Sequence, residues 1–197
     1  NTNFKLNLEE IKGTWTKLAD RDELAKKYPN SVDTKSVLDI TFATERDASL
    51  VDFIDSTTGK VLSRHKAGFA VHVTVTNKKN PRYAYSISRS GRLTMFDIAA
   101  PGQPAIASVQ VGFESRGLAV SPDGKYVIAG NYTPGGAVLC DAMTLEPLKA
   151  YDTSAVINTE GQIEASRVAS LADTPYGPYF AMALKDGGRV YIIDYSK

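Results

Sequence analysis

The sequence predicts an all-β protein, a β-propeller of about four blades. Four hydrophobic strands each end in an aspartate followed by a turn, at Asp55, Asp97, Asp141 and Asp194. The steps between them are 42, 44 and 53 residues, and a period of about 40–45 residues holding four short strands is typical of a propeller blade. An aspartate has a reason to recur there, because its carboxylate can accept hydrogen bonds from turn amides. An open β-sandwich, the alternative fold, requires no such long period.

Turn motifs at matching places in the repeat support this period. A β-rich run follows each of "KKNPRY", "SPDGKY" and "TPYGPY", and a second turn follows each run as "RSGR", "TPGG" or "KDGGR". One whole blade is predicted as the four strands "ESRGLAVS", "YVIAGNY", "GAVLCDA" and "EPLKAYD". The stretch Ser154–Arg167 lies inside the one long repeat, so we expect it to be a loop insertion.

The first part of the chain differs from the rest. Residues 1–34 are charged and contain helix formers with only a weak apolar stripe. We predict an N-terminal arm or linker with one short helix there. The partial propeller is expected at residues 35–197, with blades ending near the four aspartates.

Composition excludes several classes of function. The 23 basic and 22 acidic residues leave a net charge of +1, which gives no sign of a nucleic-acid partner. No run of about 18 apolar residues could span a membrane. The single cysteine, Cys140, excludes an internal disulfide framework and lies in the apolar run "AVLCD", so we expect it to be buried. Motifs of nucleophilic hydrolysis and of nucleotide binding are absent.

The two histidines occupy different patterns. His72, in "GFAVHVTV", alternates with apolar neighbours at the start of a predicted innermost strand, where it would line the central channel. The pattern alone favours a core histidine satisfied by backbone groups over a functional one. His65, in "LSRHKAG", lies between charged residues and is predicted to be a solvated surface residue.

Four arginines fall within strand–turn patterns: Arg46, Arg89, Arg116 and Arg167. Arg116 and Arg167 open predicted innermost strands of successive blades. A ring of guanidinium groups at one mouth of a propeller would suit a ligand with several carboxylates, because arginine binds carboxylates bidentately. The alternative is that they are ordinary polar caps on strand ends.

Three long segments resemble the haem d1 propeller, which occurs in cytochrome cd-type nitrite reductases and in haem d1 maturation proteins. They are "ERDASLVDFIDSTTGKVLSRHKAGFAVHVT", "VGFESRGLAVSPDGKYVIAGNYTPGGAVLCDAMTLEPLKAYDT" and "SRVASL…FAMALKDGGRVYIIDYSK". The resemblance begins near Val37 and implies the N-terminal half of an eight-bladed propeller with haem d1 as its cofactor. Such a half would close against a second half-propeller or as a homodimer; a closed four-bladed propeller is the alternative.

The resemblance also implies roles for individual residues. His72, in the "G-[YF]-A-V-H" strand, matches the axial ligand of the haem iron. The residues that match cofactor-binding positions are Arg46, Arg89, Arg116, Tyr132 and Arg167. No residue of this chain is assigned a catalytic role.

Two departures from the reductases bear on function. Where they carry "Tyr-His-Pro-Glu-Pro-Arg", this chain has "QIEASR", and it has no "CxxCH" motif for covalent haem c. The resemblance implies part of a periplasmic nitrite reductase-like oxidoreductase of denitrification, which forms nitric oxide and receives electrons from a cytochrome or cupredoxin. The first alternative is a haem d1 maturation protein, acting as a dihydro-haem d1 dehydrogenase or carrier. The second is a non-catalytic propeller scaffold.

Overall fold

The computed structural model describes residues 5–197, and beyond residue 39 its regular structure consists of antiparallel β-sheets. Consecutive strands pair within each sheet, and the sheets follow one another along the chain as blades. This arrangement confirms the all-β propeller prediction.

The arm contains more structure than the one helix predicted. Its elements are α1 (Leu8–Lys12), β1 (Thr16–Lys17) and α2 (Arg21–Lys27). Both helices begin at a capping side chain: Asn7 accepts backbone N–H groups at the start of α1, and Asp20 does so for α2. A 3-10 turn at Val37–Asp39 leads into the first blade.

Four blades follow the arm. Blade 1 consists of β2 (Ile40–Glu45), β3 (Leu50–Asp55) and β4 (Val61–Lys66). Blade 2 consists of β5 (Val71–Thr76), β6 (Tyr83–Ser88), β7 (Arg92–Asp97) and β8 (Ala105–Gln110). Blade 3 consists of β9 (Glu114–Val120), β10 (Tyr126–Thr133), β11 (Gly136–Asp141) and β12 (Pro147–Asp152).

The predicted insertion precedes the last blade and forms a small hairpin of its own. Its strands are β13 (Val156–Ile157) and β14 (Ile163–Glu164), which pair only with each other. Blade 4 then consists of β15 (Val168–Asp173), β16 (Tyr179–Leu184) and β17 (Arg189–Asp194).

The repeated aspartates occupy equivalent positions in all four blades. Each ends its strand opposite the first residue of the preceding strand, in the pairs Asp55–Ile40, Asp97–Tyr83, Asp141–Tyr126 and Asp194–Tyr179. In every blade the aspartate Oδ1 accepts the backbone N–H two residues later, at 2.7–3.1 Å. The sequence period therefore reflects a turn that is rebuilt with the same hydrogen bond in each blade.

The two central blades are complete and the two outer ones are not. Blades 2 and 3 each have four strands in chain order, with β1 added at the outer edge of blade 2. Strands β5, β9 and β15 occupy the innermost position, and β9 packs between the other two. Within residues 5–197, blade 1 has no innermost strand and blade 4 has no fourth strand. The prediction of four-stranded blades throughout is therefore correct only for the centre.

Three hydrophobic clusters fill the spaces between successive blades. The largest lies between blades 2 and 3 and includes Tyr85, Met95 and the fully buried Cys140, as expected for that cysteine. Burial raises the pKa of the Cys140 thiol, so it stays protonated and unreactive. None of the helices in the described part of the chain is both long and apolar enough to cross a membrane.

The arm is fixed across the outer edges of blades 2 and 3. Ile11 is buried in their shared cluster, and β1 pairs with β8. The Trp15 indole N–H donates to the Thr144 carbonyl at 3.0 Å, and Arg21 donates to the Met143 carbonyl at 2.6 Å. The arm thus packs as part of the domain and is not a free linker.

Candidate functional site

The innermost strand of blade 2 is interrupted at His72. Val71 lies opposite Ser88 and Val73 lies opposite Ile87, so His72 has no residue opposite it on β6. It is the extra residue of a β-bulge. Bulges re-aim a side chain out of the regular alternation of a strand and are frequent next to active sites.

The same irregularity recurs in the next two blades. In β9 the register skips Arg116, and in β15 it skips Ala169. His72, Arg116 and Ala169 are therefore equivalent residues of three successive innermost strands. Arg167 lies two residues before this position, so the two arginines that the sequence places at matching strand starts are not equivalent.

His72 lies in a positive electrostatic environment and is not part of the core. The residue is exposed, unlike a core histidine. Partial burial lowers the pKa of its imidazole, and the positive charges of Arg116, Arg89 and Arg46 lower it further. The ring is therefore neutral at neutral pH, the form that ligates metals.

In the described part of the chain, the His72 ring lacks one contact that metal-bound histidines usually have. A metal-bound histidine commonly donates its second ring nitrogen to an acceptor. Within residues 5–197, His72 has no hydrogen bond to either ring nitrogen.

A cavity of about 520 Å³ opens at this end of blades 1 and 2. Its wall comes from four connecting segments and consists of Arg46, Asp47, Phe69, Ala70, Arg89, Ser90, Phe113 and Glu114. Two of the predicted arginines, Arg46 and Arg89, line it directly. Arg116 is not among the wall residues and meets the cavity through Glu114.

Backbone hydrogen bonds fix the segments of the wall to one another. The Arg89 N–H donates to the Ala70 carbonyl at 3.0 Å, and the Ser115 N–H donates to the Arg89 carbonyl at 3.1 Å. Gly91 has a φ of 85°, and a Cβ there would lie 1.9 Å from the Gly112 carbonyl oxygen. Only glycine permits this close approach of two loops, so Gly91 is required for the wall to keep this shape.

Two exposed phenylalanines flank the cavity and were not identified from the sequence. Phe69 is 72% exposed and Phe113 is 61% exposed, and each lies three residues before a bulge residue. They are thus equivalent residues of successive blades. The signal in the sequence is the common offset in "FAVH" and "FESR". Repeated exposed aromatic side chains beside a cavity are typical of a binding surface for an apolar ligand.

Glu114 was also missed by sequence reasoning. Its Oε1 lies 2.8 Å from Nη2 of Arg116 and 3.9 Å from Nη2 of Arg89. One carboxylate oxygen therefore links two of the predicted cofactor-binding arginines.

The Tyr132 ring contacts three cations. Its ring centroid is 4.6 Å from the Arg116 guanidinium, 5.2 Å from the Lys185 ammonium and 5.3 Å from the Arg167 guanidinium. Such contacts attract a cation to the ring face. The structure thus brings Tyr132 and Arg167 next to Arg116 and adds Lys185, which sequence reasoning missed.

Arg167 already has a partner. Its guanidinium forms two hydrogen bonds with Asp186, at 2.6 and 3.0 Å, and its backbone N–H forms a third at 2.8 Å. The hydrogen bond from Arg167 is the largest of the influences that lower the pKa of Asp186 to about 2. Of the predicted arginines, Arg167 is therefore the least available to a ligand.

The prediction for His65 was wrong. Its ring is half-buried, at 5.9 Å from the Phe53 ring and 5.5 Å from the Phe96 ring, and its Nε2 is 2.8 Å from the Gly102 carbonyl oxygen. Burial lowers the pKa of this imidazole, an effect that the Gly102 carbonyl opposes. The charged neighbours in the sequence point to the other face of β4, because side chains alternate along a strand.

Comparison with known proteins identifies the family. Residues 35–197 match the family described as the cytochrome D1 heme domain. The chain belongs to this family. The described residues contain no group of three or more His, Cys, Asp or Glu side chains that could hold a metal ion by themselves.

Three curated relatives show where the likeness extends. The chain is 28% identical over 202 residues to nitrite reductase of Stutzerimonas stutzeri. The aligned region covers 98% of this chain and 34% of the reductase. It is 34% identical over 160 residues to protein NirF of Pseudomonas aeruginosa, with 81% and 39% covered. It is 31% identical over 146 residues to the dihydro-heme d1 dehydrogenase of the same organism, with 74% and 28% covered. The chain thus spans about a third of the length of these relatives.

Solved structures agree with the propeller architecture. The dihydro-heme d1 dehydrogenase NirN in complex with DHE superposes with a TM-score of 0.82 at 26% identity, over 98% of this chain and 39% of that one. The β-propeller domain of Cps50 (Swd1) from Myceliophteria thermophila has a TM-score of 0.57 at 12% identity, over 79% and 50%. The second likeness concerns the fold alone.

Proposed function

We propose that this chain contributes the axial-ligand side of a haem d1 site in a periplasmic protein of denitrification. The observation that carries the proposal is the β-bulge at His72, whose imidazole is subject to the positive charges of Arg46, Arg89 and Arg116. Arg46 and Arg89 lie in the wall of the 520 Å³ cavity, and His72, which is not itself a wall residue, follows the wall residue Ala70 by two positions. Membership of the cytochrome D1 heme domain family supports the choice of macrocycle.

The residues present fit such a cofactor. A neutral histidine nitrogen is a common axial ligand of haem iron. Guanidinium groups bind carboxylates with charge-assisted hydrogen bonds, and haem d1 carries several carboxylates. The exposed rings of Phe69 and Phe113 offer apolar contact for the remainder of a flat macrocycle.

Each residue then has one task. His72 would hold the iron, and its neutral state at neutral pH removes the need to displace a proton. Arg46 and Arg89, which lie in the cavity wall, would bind the carboxylates together with Arg116, which lies beside it. The Tyr132 ring would stabilise the Arg116 guanidinium through a cation–π contact. When bound, haem d1 would supply a redox-active iron, and the same cations would attract an anionic substrate such as nitrite.

Two enzymatic roles are compatible with this site. Similarity along 98% of the chain supports a nitrite reductase-like protein that forms nitric oxide with electrons from a cytochrome or cupredoxin. A haem d1 maturation role, as dehydrogenase or carrier, is the second candidate. It is favoured by the superposition on NirN and by "QIEASR" in place of the Tyr-His stretch of reductases. In either role, the full protein would include a second half-propeller, from the same chain or from another copy.

Titration with haem d1 tests the site directly. We expect the visible spectrum of haem d1 to shift on addition of the chain and to saturate at one equivalent. His72→Ala should remove the histidine-ligated spectrum while the far-ultraviolet circular dichroism stays unchanged, because the residue is exposed. Free-haem spectra with the wild-type chain, or identical bound spectra for wild type and His72→Ala, would overturn the assignment and favour a scaffold role.

A matched pair of arginine variants tests the carboxylate contacts. Arg89→Ala should weaken haem d1 binding by about 1.5–3 kcal/mol, the range for hydrogen bonds to a charged group. Arg189 also lies in a strand start, but it donates to the Asn158 carbonyl away from the cavity. Arg189→Ala should therefore leave the affinity unchanged, and equal losses for both variants would contradict the role of Arg89.

A spectroscopic comparison separates the two roles. Full-length protein loaded with haem d1 should form nitric oxide from nitrite and a reductant if it is a reductase. Addition of dihydro-haem d1 together with an electron acceptor, which takes up the two electrons while two protons pass to the buffer, should instead yield the haem d1 spectrum if it is a maturation dehydrogenase.

A further inference from the structure

We propose that Glu114 is an internal carboxylate that occupies the ligand position between Arg116 and Arg89 and is displaced by a carboxylate of the incoming macrocycle. The inference rests on the proposed function and adds a determinant of specificity to it. Glu114 would make the site selective for macrocycles that bring a carboxylate to this edge.

The geometry around Glu114 is that of an occupied anion site. A single oxygen, Oε1, lies 2.8 Å from Arg116 and 3.9 Å from Arg89, and Glu114 itself belongs to the cavity wall. Both guanidinium groups therefore face a carboxylate at the margin of the cavity. A carboxylate of a ligand in the cavity would compete for the same donors.

The Arg116 side chain is largely buried, whereas the Glu114 side chain is partly exposed. The Arg116 side chain is only 10% exposed, rests on the Tyr132 ring and donates from Nη1 to the Ser115 carbonyl at 3.2 Å. The Glu114 side chain is 43% exposed, and its one short contact is the one to Arg116. Rotation of Glu114 into water would leave Arg116 in place, oriented for a new carboxylate.

The neighbouring Arg167–Asp186 pair shows what a permanent ion pair looks like in this protein. Asp186 accepts three hydrogen bonds from Arg167, two from the guanidinium and one from the backbone. A ligand would have to replace all three to displace it. Glu114 holds its partner with a single short bond, so exchange at Glu114 costs less.

Exchange of one carboxylate for another conserves the charge of the cluster. A ligand that carries a carboxylate replaces the interaction that Glu114 gives up, and the freed Glu114 regains water. An esterified macrocycle cannot displace Glu114 in this way and gains nothing from Arg116. The predicted consequence is that Glu114 lowers the affinity for carboxylate macrocycles and leaves the affinity for esters unaffected.

Two probes and one control variant test this prediction. The probes are ferric haem b, which has two propionates, and its dimethyl ester, titrated in the same detergent buffer with visible absorbance as the readout. Glu114→Gln keeps the size of the side chain but removes the charge. It should lower the dissociation constant of haem b about tenfold, which corresponds to the free energy of one hydrogen bond to a charged group. The dissociation constant of the ester should not change. Glu160→Gln, the control, removes one negative charge from the exposed turn between β13 and β14, away from the cavity wall, and should not strengthen binding of either probe.

The outcomes separate this inference from the proposed function. If the wild-type chain binds haem b through His72 but Glu114→Gln binds it equally or more weakly, Glu114 orders the arginines and the inference is wrong. If Glu114→Gln strengthens binding of haem b and its ester alike, the effect is not exchange of carboxylates and the inference is wrong as well. If neither wild type nor any variant binds haem b or haem d1, the proposed function fails and the inference fails with it.

Discussion

Blades 2 and 4 carry the same repeat but are buried to different extents. In blade 2, all six residues of β6 ("YAYSIS") are buried, whereas in β16 of blade 4 ("YFAMAL") buried and half-buried residues alternate. Both strands lie opposite an equivalent aspartate. Within residues 5–197, blade 2 packs against a neighbour on each face, and blade 4 packs only against blade 3. The local sequence therefore determines where strands and turns form. The neighbouring blades determine how deeply each strand is buried, and thus how much its residues contribute to stability.

The strongest way to sharpen this comparison is to remove the same aspartate from both blades. Asp97 is fully buried, accepts from the N–H groups of Ala99 and Ala100, and pairs with the Arg82 guanidinium at 2.7 Å. Asp97→Ala should lower the free energy of unfolding by about 3–5 kcal/mol, because removal of one partner leaves a buried charge without compensation. The measurement is the urea unfolding curve.

Asp194→Ala provides the matched control. Asp194 ends β17 with the same turn hydrogen bond, but its side chain is partly exposed and its ion pair with Lys197 is a surface one. The unfolding midpoint should move far less than for Asp97→Ala. Equal shifts would mean that the turn, and not the surrounding blades, determines the cost.

A second pair of variants compares the mouth of the propeller with an outer turn. Gly91 and Gly59 both have positive φ values, of 85° and 72°, but only Gly91 lies against another loop, where an added Cβ would meet the Gly112 carbonyl. Gly91→Ala should cost about 2–4 kcal/mol, from backbone strain and forced movement of the loop. Gly59→Ala should cost about 1–2 kcal/mol, from the left-handed backbone alone. A smaller loss for Gly91→Ala, read from the same urea curves, would show that the mouth is pliable.

A third pair tests whether the arm stabilises the central blades. Ile11 is buried in the cluster between blades 2 and 3, while Leu18 in the same arm is half-exposed. Ile11→Ala should lower the free energy of unfolding by about 2 kcal/mol, the low end for a buried isoleucine, because a five-residue helix can shift to fill the gap. Leu18→Ala should stay within about 0.5 kcal/mol of wild type. Indistinguishable unfolding curves for Ile11→Ala and wild type would identify the arm as a linker after all.

Much of the fold could be predicted from the sequence because its signals are local. A few neighbouring residues specify each of the Pro-Asp-Gly and Asn-Pro turns and each apolar run. These elements are present in the structure, and the aspartates recur at the predicted period. The packing of the arm could not be predicted in this way. Trp15 and Arg21 donate to carbonyl groups 129 and 122 residues later in the sequence, and the other buried members of the Ile11 cluster begin only at Tyr83. The spacing of these arm residues shows no helical stripe of useful length.

The candidate site was predictable to a lesser degree. His72 and the arginines were singled out by their strand–turn patterns, which are local, and the resemblance gave them roles in binding a cofactor. The pairing of Glu114 with two arginines depends on how two blades meet, and the bulges at His72 and Arg116 depend on strand register. The error at His65 has a similar origin: its charged sequence neighbours lie on the opposite face of β4, while Phe53 and Phe96 reach it from other strands.

The two histidines allow a comparison between the cavity end of the propeller, where His72 lies, and its core, against which His65 packs. The expected effect on stability is the smallest of those considered. Both pKa values lie below the ordinary value of 6.5, His65 through burial and His72 through partial burial and three arginines. Because the unfolded chain binds protons more readily, the stability contributed by both groups is complete above the unfolded pKa and is lost as pH falls through the folded pKa values. The free energy of unfolding should therefore decline as pH falls below 6.5.

Replacement of one mouth cation distinguishes the two histidines. Arg46 is exposed, and its ion pair with Asp47 is a long one of 3.7 Å, so Arg46→Gln should leave the fold unchanged. Loss of its charge should raise the pKa of His72, because the imidazolium no longer meets that repulsion, and should leave the pKa of His65 where it is. The ring signals of both histidines in nuclear magnetic resonance spectra, followed against pH, measure each value separately. An unchanged His72 titration would mean that Arg46 points away from the imidazole in solution, and the cluster of cations at the mouth would then consist of Arg89 and Arg116 alone.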